Sequence, residues 1–157
     1  MRAARSKIGG LDEVRAHVES ARSAGRTIAL ANGCFEILHV GHVRYLQGAR
    51  AEADLLVVGV RGDAAARRVH GSAGPIVPAV DRALLVAAVR VVDQVVVFDE
   101  DEAAVLIDRL RPEVFCSRAG SAASTAEAAA RAHGIRIVVI DVAAPDDAPG
   151  LSDGPRR

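Results

Sequence analysis

Tryptophan is absent from these 157 residues, and one tyrosine and three phenylalanines are the only residues of the Phe, Trp and Tyr class. The core must then be built from Val, Leu, Ile and Ala. Cysteine is nearly absent too. Cys34 and Cys116 lie far apart and neither sits in a C-x-x-C pair, which argues against a metal or redox centre. Buried free thiols in a reducing cytosol are the default expectation. Net charge is also missing, with 20 basic residues against 20 acidic ones and a pI near 7.0. That argues against a general nucleic-acid surface, which shows as a pI above about 9. The only lysine is Lys7. The positive charge is arginine, whose planar fork suits phosphate or carboxylate, although an Ala- and Arg-rich composition from GC-rich coding explains the bias equally well. No apolar run reaches the roughly 18 residues that a membrane span requires. The opening MRAARSKIGG has no apolar core of the kind a secretory leader carries. A cytoplasmic protein acting on small molecules, with no membrane and no nucleic acid as partner, is expected.

What is present is an ordinary globular balance, 50% apolar and 25% charged. The length suits one domain able to bury a core without staples. Leu11, Val14, Val18 and Ala21 recur at helical spacing over 11–24, and Gly25 follows as a stop. TIALANG (27–33) reads as a buried strand, HVGHVRYLQGARAEA (39–53) as a helix and LLVVGV (55–60) as a second strand. GDAAARRVHGSAGPIV (62–77) begins helically and breaks at Gly71 and Gly74. A helix is predicted over 81–92, a strand over 94–98, and a helix within 99–112 that opens on an acidic turn and ends at Pro112. A strand over 113–117, a helix over 125–134 and a strand over 135–142 complete the pattern. Apolar strands joined by helical crossovers imply a parallel sheet covered on both faces. With right-handed crossovers this is an α/β, Rossmann-like, doubly wound five-stranded sheet. One domain is expected over 1–142, followed by a loose Pro-, Gly- and Asp-rich tail, 143–157.

The chemistry concentrates in ANGCFEILHVGHVRYL, residues 31–46. Ligands of open α/β sheets bind beyond the carboxyl ends of the strands, and this stretch follows the first strand. Gly33 allows backbone to approach a ligand closely. A helix starting near Gly41 offers free N–H groups and a positive dipole end to an anion. His39 and His42 stand at i and i+3, so one turn brings both to the same spot. Two imidazoles over a helix N-terminus suit a phosphate gaining charge in a transition state. A histidine near a helix start is ordinarily a cap or a surface group. Metal ligation would need a third ligand, for which Glu36 is the only near candidate, and no metal site is expected.

These residues resemble a family signature. GCFEILHVGH is similar to the G-x-F-D-x-x-H-x-G-H element of the nucleotidyltransferase superfamily that includes cytidylyltransferases. Over about residues 10–118 the chain looks like the adenylyltransferase domain of ADP-heptose synthases. The resemblance implies transfer of AMP from ATP, with Mg²⁺, to heptose 1-phosphate, releasing pyrophosphate by direct in-line attack. His39 and His42 would contact the triphosphate. Asn32, Gly33, Cys34 and Phe35 would line the nucleotide pocket, Gly41 would permit close approach, and Arg82 would hold phosphate. Asp63 matches an aspartate after the second strand. Relatives commonly dimerise, and helix 81–92 could supply a face, although core packing explains its valines equally well.

Several positions depart from the pattern. Glu36 stands for the usual Asp, and His70 for a Lys before Gly71. Ser117 stands for a Lys after the fourth strand, which Arg118 reaches only with a one-residue shift. Only GLSD (150–153) echoes the family's terminal S-T-T element, with Ser152 as the matching serine and Asp153 in place of threonine. Three readings stay open: an adenylyltransferase acting on a sugar phosphate, a nucleotide-binding relative without turnover, and a cytidylyltransferase acting on glycerol 3-phosphate or a similar polyol phosphate.

Overall fold

The computed structural model describes residues 3–71, 74–99, 103–120 and 124–142, without the side chains of Val69 and His70. The proposed tail, 143–157, with Ser152 and Asp153, lies outside the described residues.

Five strands form one parallel sheet: β1 (Ile28–Gly33), β2 (Leu55–Arg61), β3 (Gln94–Phe98), β4 (Val114–Arg118) and β5 (Arg136–Ile140). Their order is β3-β2-β1-β4-β5. The chain winds outward from β1 to β3, then returns to add β4 and β5 on the other side. The sheet therefore has its topological switch between β1 and β4, where adjacent crossovers depart to opposite faces and leave a crevice. Side chains alternate across each strand. Ala29, Ala31, Leu56, Val58 and Cys116 face α2 (Val40–Ala51) and α4 (Ala79–Ala88). Ile28, Leu30, Val57 and Phe115 face α1 (Leu11–Ser23), α5 (Ala104–Leu110) and α6 (Thr125–Ala132). The aliphatic core expected from the composition is thus split into two layers by the sheet. No helix among the described residues is long and apolar enough to cross a membrane.

Helix ends follow local chemistry. Gly25, Gly71 and Gly134 adopt positive φ after α1, α3 (Asp63–His70) and α6, a conformation open to glycine at little cost. Two helices differ from expectation. The helix expected over 81–92 runs Ala79–Ala88, because Pro78 supplies the N-cap and Val89 turns extended before β3. The helix expected to open on acidic residues starts at Ala104 with no acidic residue in its first turn. A short 3-10 turn, Ala4–Lys7, and a bridge from Ile8 to Val95 beside β3 had no sequence signal.

Gly59 lies in the middle of β2, and a Cβ there would collide with Leu106 Cδ1 of α5 and sit 3.2 Å from Phe98 Cε1. Gly59→Ala is expected to lower unfolding free energy by about 1–3 kcal/mol through overpacking, as read by urea denaturation. An unchanged midpoint would show that α5 can retreat.

Candidate active site

The β1–α2 turn is built around three side chains that fold onto backbone. His39 is the N-cap of α2, and its Nδ1 accepts the Gly41 N–H at 3.1 Å. His42, one turn on, brings its Nδ1 within 3.4 Å of the His39 N–H. The two rings lie with centroids 4.0 Å apart and planes tilted by 35°. The i, i+3 spacing thus brings both imidazoles together over the helix N-terminus. Accepting at Nδ1 puts the proton of the neutral His39 ring on Nε2, which can donate outward. Gly41 has a local reason: a Cβ there would lie 2.9 Å from His39 Cε1, so only glycine leaves room for the imidazole to cap its own helix.

Phe35 is the third member. It is 3% exposed yet holds φ at +51°, the left-handed region that bulky residues avoid. Its ring packs on His42 at 5.2 Å and closes over Gly33, whose missing Cβ would be 3.0 Å from Phe35 Cε2. The apolar ring helps desolvate His42. Burial, then the charge of His39 and then that of Arg118, lower the His42 pKa below its ordinary 6.5. His42 is therefore a neutral imidazole at pH 7.

A cavity of about 220 Å³ opens beside this turn, at the switch between β1 and β4. Of the expected site residues, Asn32, Gly33, Cys34, Phe35, His42 and Arg118 line it. Four further residues line it that the sequence did not single out as contacts: Tyr45, Phe115, Ser117 and Ser124. Tyr45 donates to the Cys116 carbonyl at 2.7 Å, and burial raises its pKa. Ser124 is the N-cap of α6, accepting the Glu127 N–H at 3.3 Å. A serine before an Ala-rich helix is a readable cap signal, but nothing local says that the cap faces this cavity. Burial raises the Cys34 thiol and pushes Cys116 up to about 12, so neither is a thiolate nucleophile at pH 7. Cys34 is only partly buried, against the expectation of a core thiol.

Arg82 and its partners lie elsewhere than expected. The Arg82 side chain is fully buried, and it is not among the cavity-lining residues. Its Nε donates to the Val77 carbonyl at 2.8 Å. One Nη1 proton goes to the Cys34 carbonyl and another to the Arg61 carbonyl at 2.7 Å, while Nη2 pairs with Asp63 Oδ1 at 2.7 Å. Four of the five guanidinium protons are thus used inside the protein. Asp63, expected near ligand, also accepts the Ala79 N–H at 2.9 Å, so both groups join β1, β2, α3 and α4. Glu36 points away from a shared ligand sphere with the histidines, accepting the Ile76 N–H at 3.1 Å. Among the described residues there is no group of three or more His, Cys, Asp or Glu arranged to hold a metal. His70 closes α3, and its side chain is outside the described set.

Two measurements follow from this geometry. NMR titration of the free protein should place the His42 midpoint below 6.5; a midpoint at or above 6.5 would contradict its burial. Between the folded and unfolded values the unfolded chain binds more protons, so this group's contribution is present above pH 6.5 and lost as pH falls. Arg82→Met should destabilise by about 3–5 kcal/mol, because it strands Asp63 and three carbonyls. A loss under about 1 kcal/mol in urea unfolding would show that the network is dispensable.

Comparison with known proteins fits the geometry. The Cytidylyltransferase-like family profile matches residues 30–148. The bifunctional protein HldE of Syntrophotalea carbinolica is 48% identical over 109 residues, and that of Geotalea uraniireducens 47% over the same length. Each match takes in 69% of this chain and 22% of the relative, so the chain corresponds to about a fifth of those proteins. A solved lipopolysaccharide core biosynthesis protein from Thermoplasma volcanium superposes with a TM-score of 0.65 at 27% identity, covering 78% of this chain and all of that one. A pantoate-beta-alanine ligase from Francisella tularensis shares the fold, with a TM-score of 0.58 at 10% identity over 85% of this chain and 66% of its own. The paired histidines capping α2, the cavity at the sheet's switch point and a family match over most of the chain agree: this protein belongs to the cytidylyltransferase-like family of nucleotidyltransferases.

Proposed function

We propose that the chain transfers AMP from ATP to a sugar phosphate, heptose 1-phosphate by its relatives, and releases pyrophosphate. The observation that carries this reading is the close His39–His42 pair over the N-terminus of α2 beside the switch-point cavity. Imidazole donors and the positive end of the α2 dipole meet there, where negative charge on an α-phosphoryl group would grow during in-line attack. The acceptor phosphate attacks that phosphorus as the bond to pyrophosphate breaks, so no protein nucleophile is required. Both thiols stay protonated at neutral pH, consistent with this. Among the described residues, no carboxylate lines the cavity. A Mg²⁺ would therefore be held mainly by the nucleotide's phosphates and water, as Mg²⁺ prefers, and would supply charge neutralisation. His39 and His42 then orient the phosphates, and the Phe35 ring excludes water from one side.

The competing reading is nucleotide binding without turnover. Ser117, where the family has lysine, and the internally consumed Arg82 favour it, since both reduce the cations available to phosphate. A matrix of ATP and CTP against heptose 1-phosphate and glycerol 3-phosphate, with Mg²⁺ and pyrophosphate readout, separates the readings. Turnover is expected with ATP and heptose 1-phosphate. His39→Ala or His42→Ala should then cut kcat by about 10²-fold or more, the scale of one lost transition-state donor. A loss below about threefold would refute their role, and nucleotide binding without pyrophosphate release across the matrix would favour the second reading.

A further inference from the structure

Phe35 sits between two anchor points. The carbonyl of the residue before it, Cys34, accepts from Arg82 Nη1. The carboxylate of the residue after it, Glu36, accepts from the Ile76 N–H at 3.1 Å. Arg82 also donates through Nε to the carbonyl of Val77, the neighbour of Ile76 in the loop between α3 and α4. Both links therefore run from the β1–α2 turn to the same two residues of that loop, one on each side of Phe35. The Arg82 side chain is buried, whereas the Glu36 link lies at the surface. The Ile76 side chain is 79% exposed, so its own burial does little to hold the loop there. A bulky residue at a φ of +51° persists only where its surroundings over-determine it. Arg82 fixes the carbonyl ahead of Phe35, and Glu36 fixes the chain behind it.

We propose that Glu36 is a positioning residue for nucleotidyl transfer: its bond to the Ile76 N–H braces the left-handed Phe35 and, through that ring, sets His42 over the N-terminus of α2. The route is short. The Phe35 ring packs on His42 at 5.2 Å and closes over Gly33. A turn that relaxes at Glu36 lets this ring swing away from the imidazole. An ångström-scale error at a catalytic group is enough to slow a reaction about 10²-fold. The link needs from residue 36 an acceptor oxygen at the end of a side chain that reaches the loop, and it does not need a negative charge. An amide supplies that oxygen equally well. A carboxylate acting on a cation or on a proton would need the ionised group itself. The rate effect rests on the nucleotidyl-transfer reading; the bracing of Phe35 does not.

Glu36→Ala and Glu36→Gln, compared with the unaltered protein, test it in two ways. Without substrates, NMR titration follows His42, which burial, His39 and Arg118 hold below 6.5. In Glu36→Ala the midpoint should rise toward 6.5 as the Phe35 ring lifts, and in Glu36→Gln it should stay in place. The sign is informative, because direct loss of a nearby negative charge would lower a histidine midpoint, and would do so in both variants. With ATP, Mg²⁺ and heptose 1-phosphate, kcat for pyrophosphate release should fall about tenfold or more in Glu36→Ala, with KM for ATP within about twofold. Glu36→Gln should restore kcat to within about threefold of the unaltered protein. Equal losses of kcat in the two variants would make charge the working property and overturn the brace. A His42 midpoint that is unmoved or lowered in Glu36→Ala overturns it as well. If the unaltered protein turns over no pairing of nucleotide and acceptor, the nucleotidyl-transfer reading and the rate effect fall together, while the His42 titration still decides whether Glu36 braces Phe35.

Discussion

A buried guanidinium organises the business end of this molecule. Arg82 carries a full charge with no water around it, and such a charge is tolerated only when nearly every donor is satisfied. Its partners are the carbonyls of Cys34, Arg61 and Val77 and the carboxylate of Asp63. Those groups come from the turn after β1, the end of β2, the lead-in to α4 and the start of α3. Gathering them on one side chain fixes the mutual placement of four segments that otherwise meet only at loop ends. The left-handed Phe35 follows directly after Cys34, so a strained residue is clamped by an anchored carbonyl on one side and a helix cap on the other.

The consequence is a rigid frame around the histidine pair. Each imidazole of the pair has a ring nitrogen close to a backbone N–H of its own turn. Burial under Phe35 and the field of Arg118 keep His42 uncharged in the free protein. A phosphate arriving there would meet dipoles already oriented by the backbone, which is the arrangement that needs least reorganisation as charge develops. The cavity is also lined by the Asn32 amide, the Ser117 and Ser124 hydroxyls and the Arg118 guanidinium.

The two solved neighbours show how much of this belongs to the frame and how much to the residues. At 10% identity the doubly wound sheet persists, which speaks for the fold alone. The HldE proteins match at 47–48% identity over 109 residues, although the matches reach only 22% of those longer proteins. Chemistry in this fold resides in the loops at the carboxyl ends of the strands, and here the β1–α2 turn carries the histidine pair.

Period and punctuation made most of the fold legible without coordinates. Two-sided apolar strands, helical stripes and stopping glycines set the five βα alternations, and errors fell at helix ends, where Pro78 and Val89 reset α4 through backbone geometry. The β1–α2 turn was equally legible, because Gly33, His39, Gly41 and His42 act on one another within ten residues. Arg82 was not, because the sequence marks an arginine in a first helical turn but not the three carbonyls, from three segments, that enclose it. Nor was the sharing of one cavity by Asn32 and Ser117: these residues are 85 positions apart in the numbering and meet only because β4 adds beside β1 in one particular register. Sequence alone determined the elements and the histidine turn, since both depend on neighbours along the chain. Tertiary structure alone decided which charges were spent inside the protein and which polar groups were left facing the cavity, since burial and strand register depend on the whole sheet.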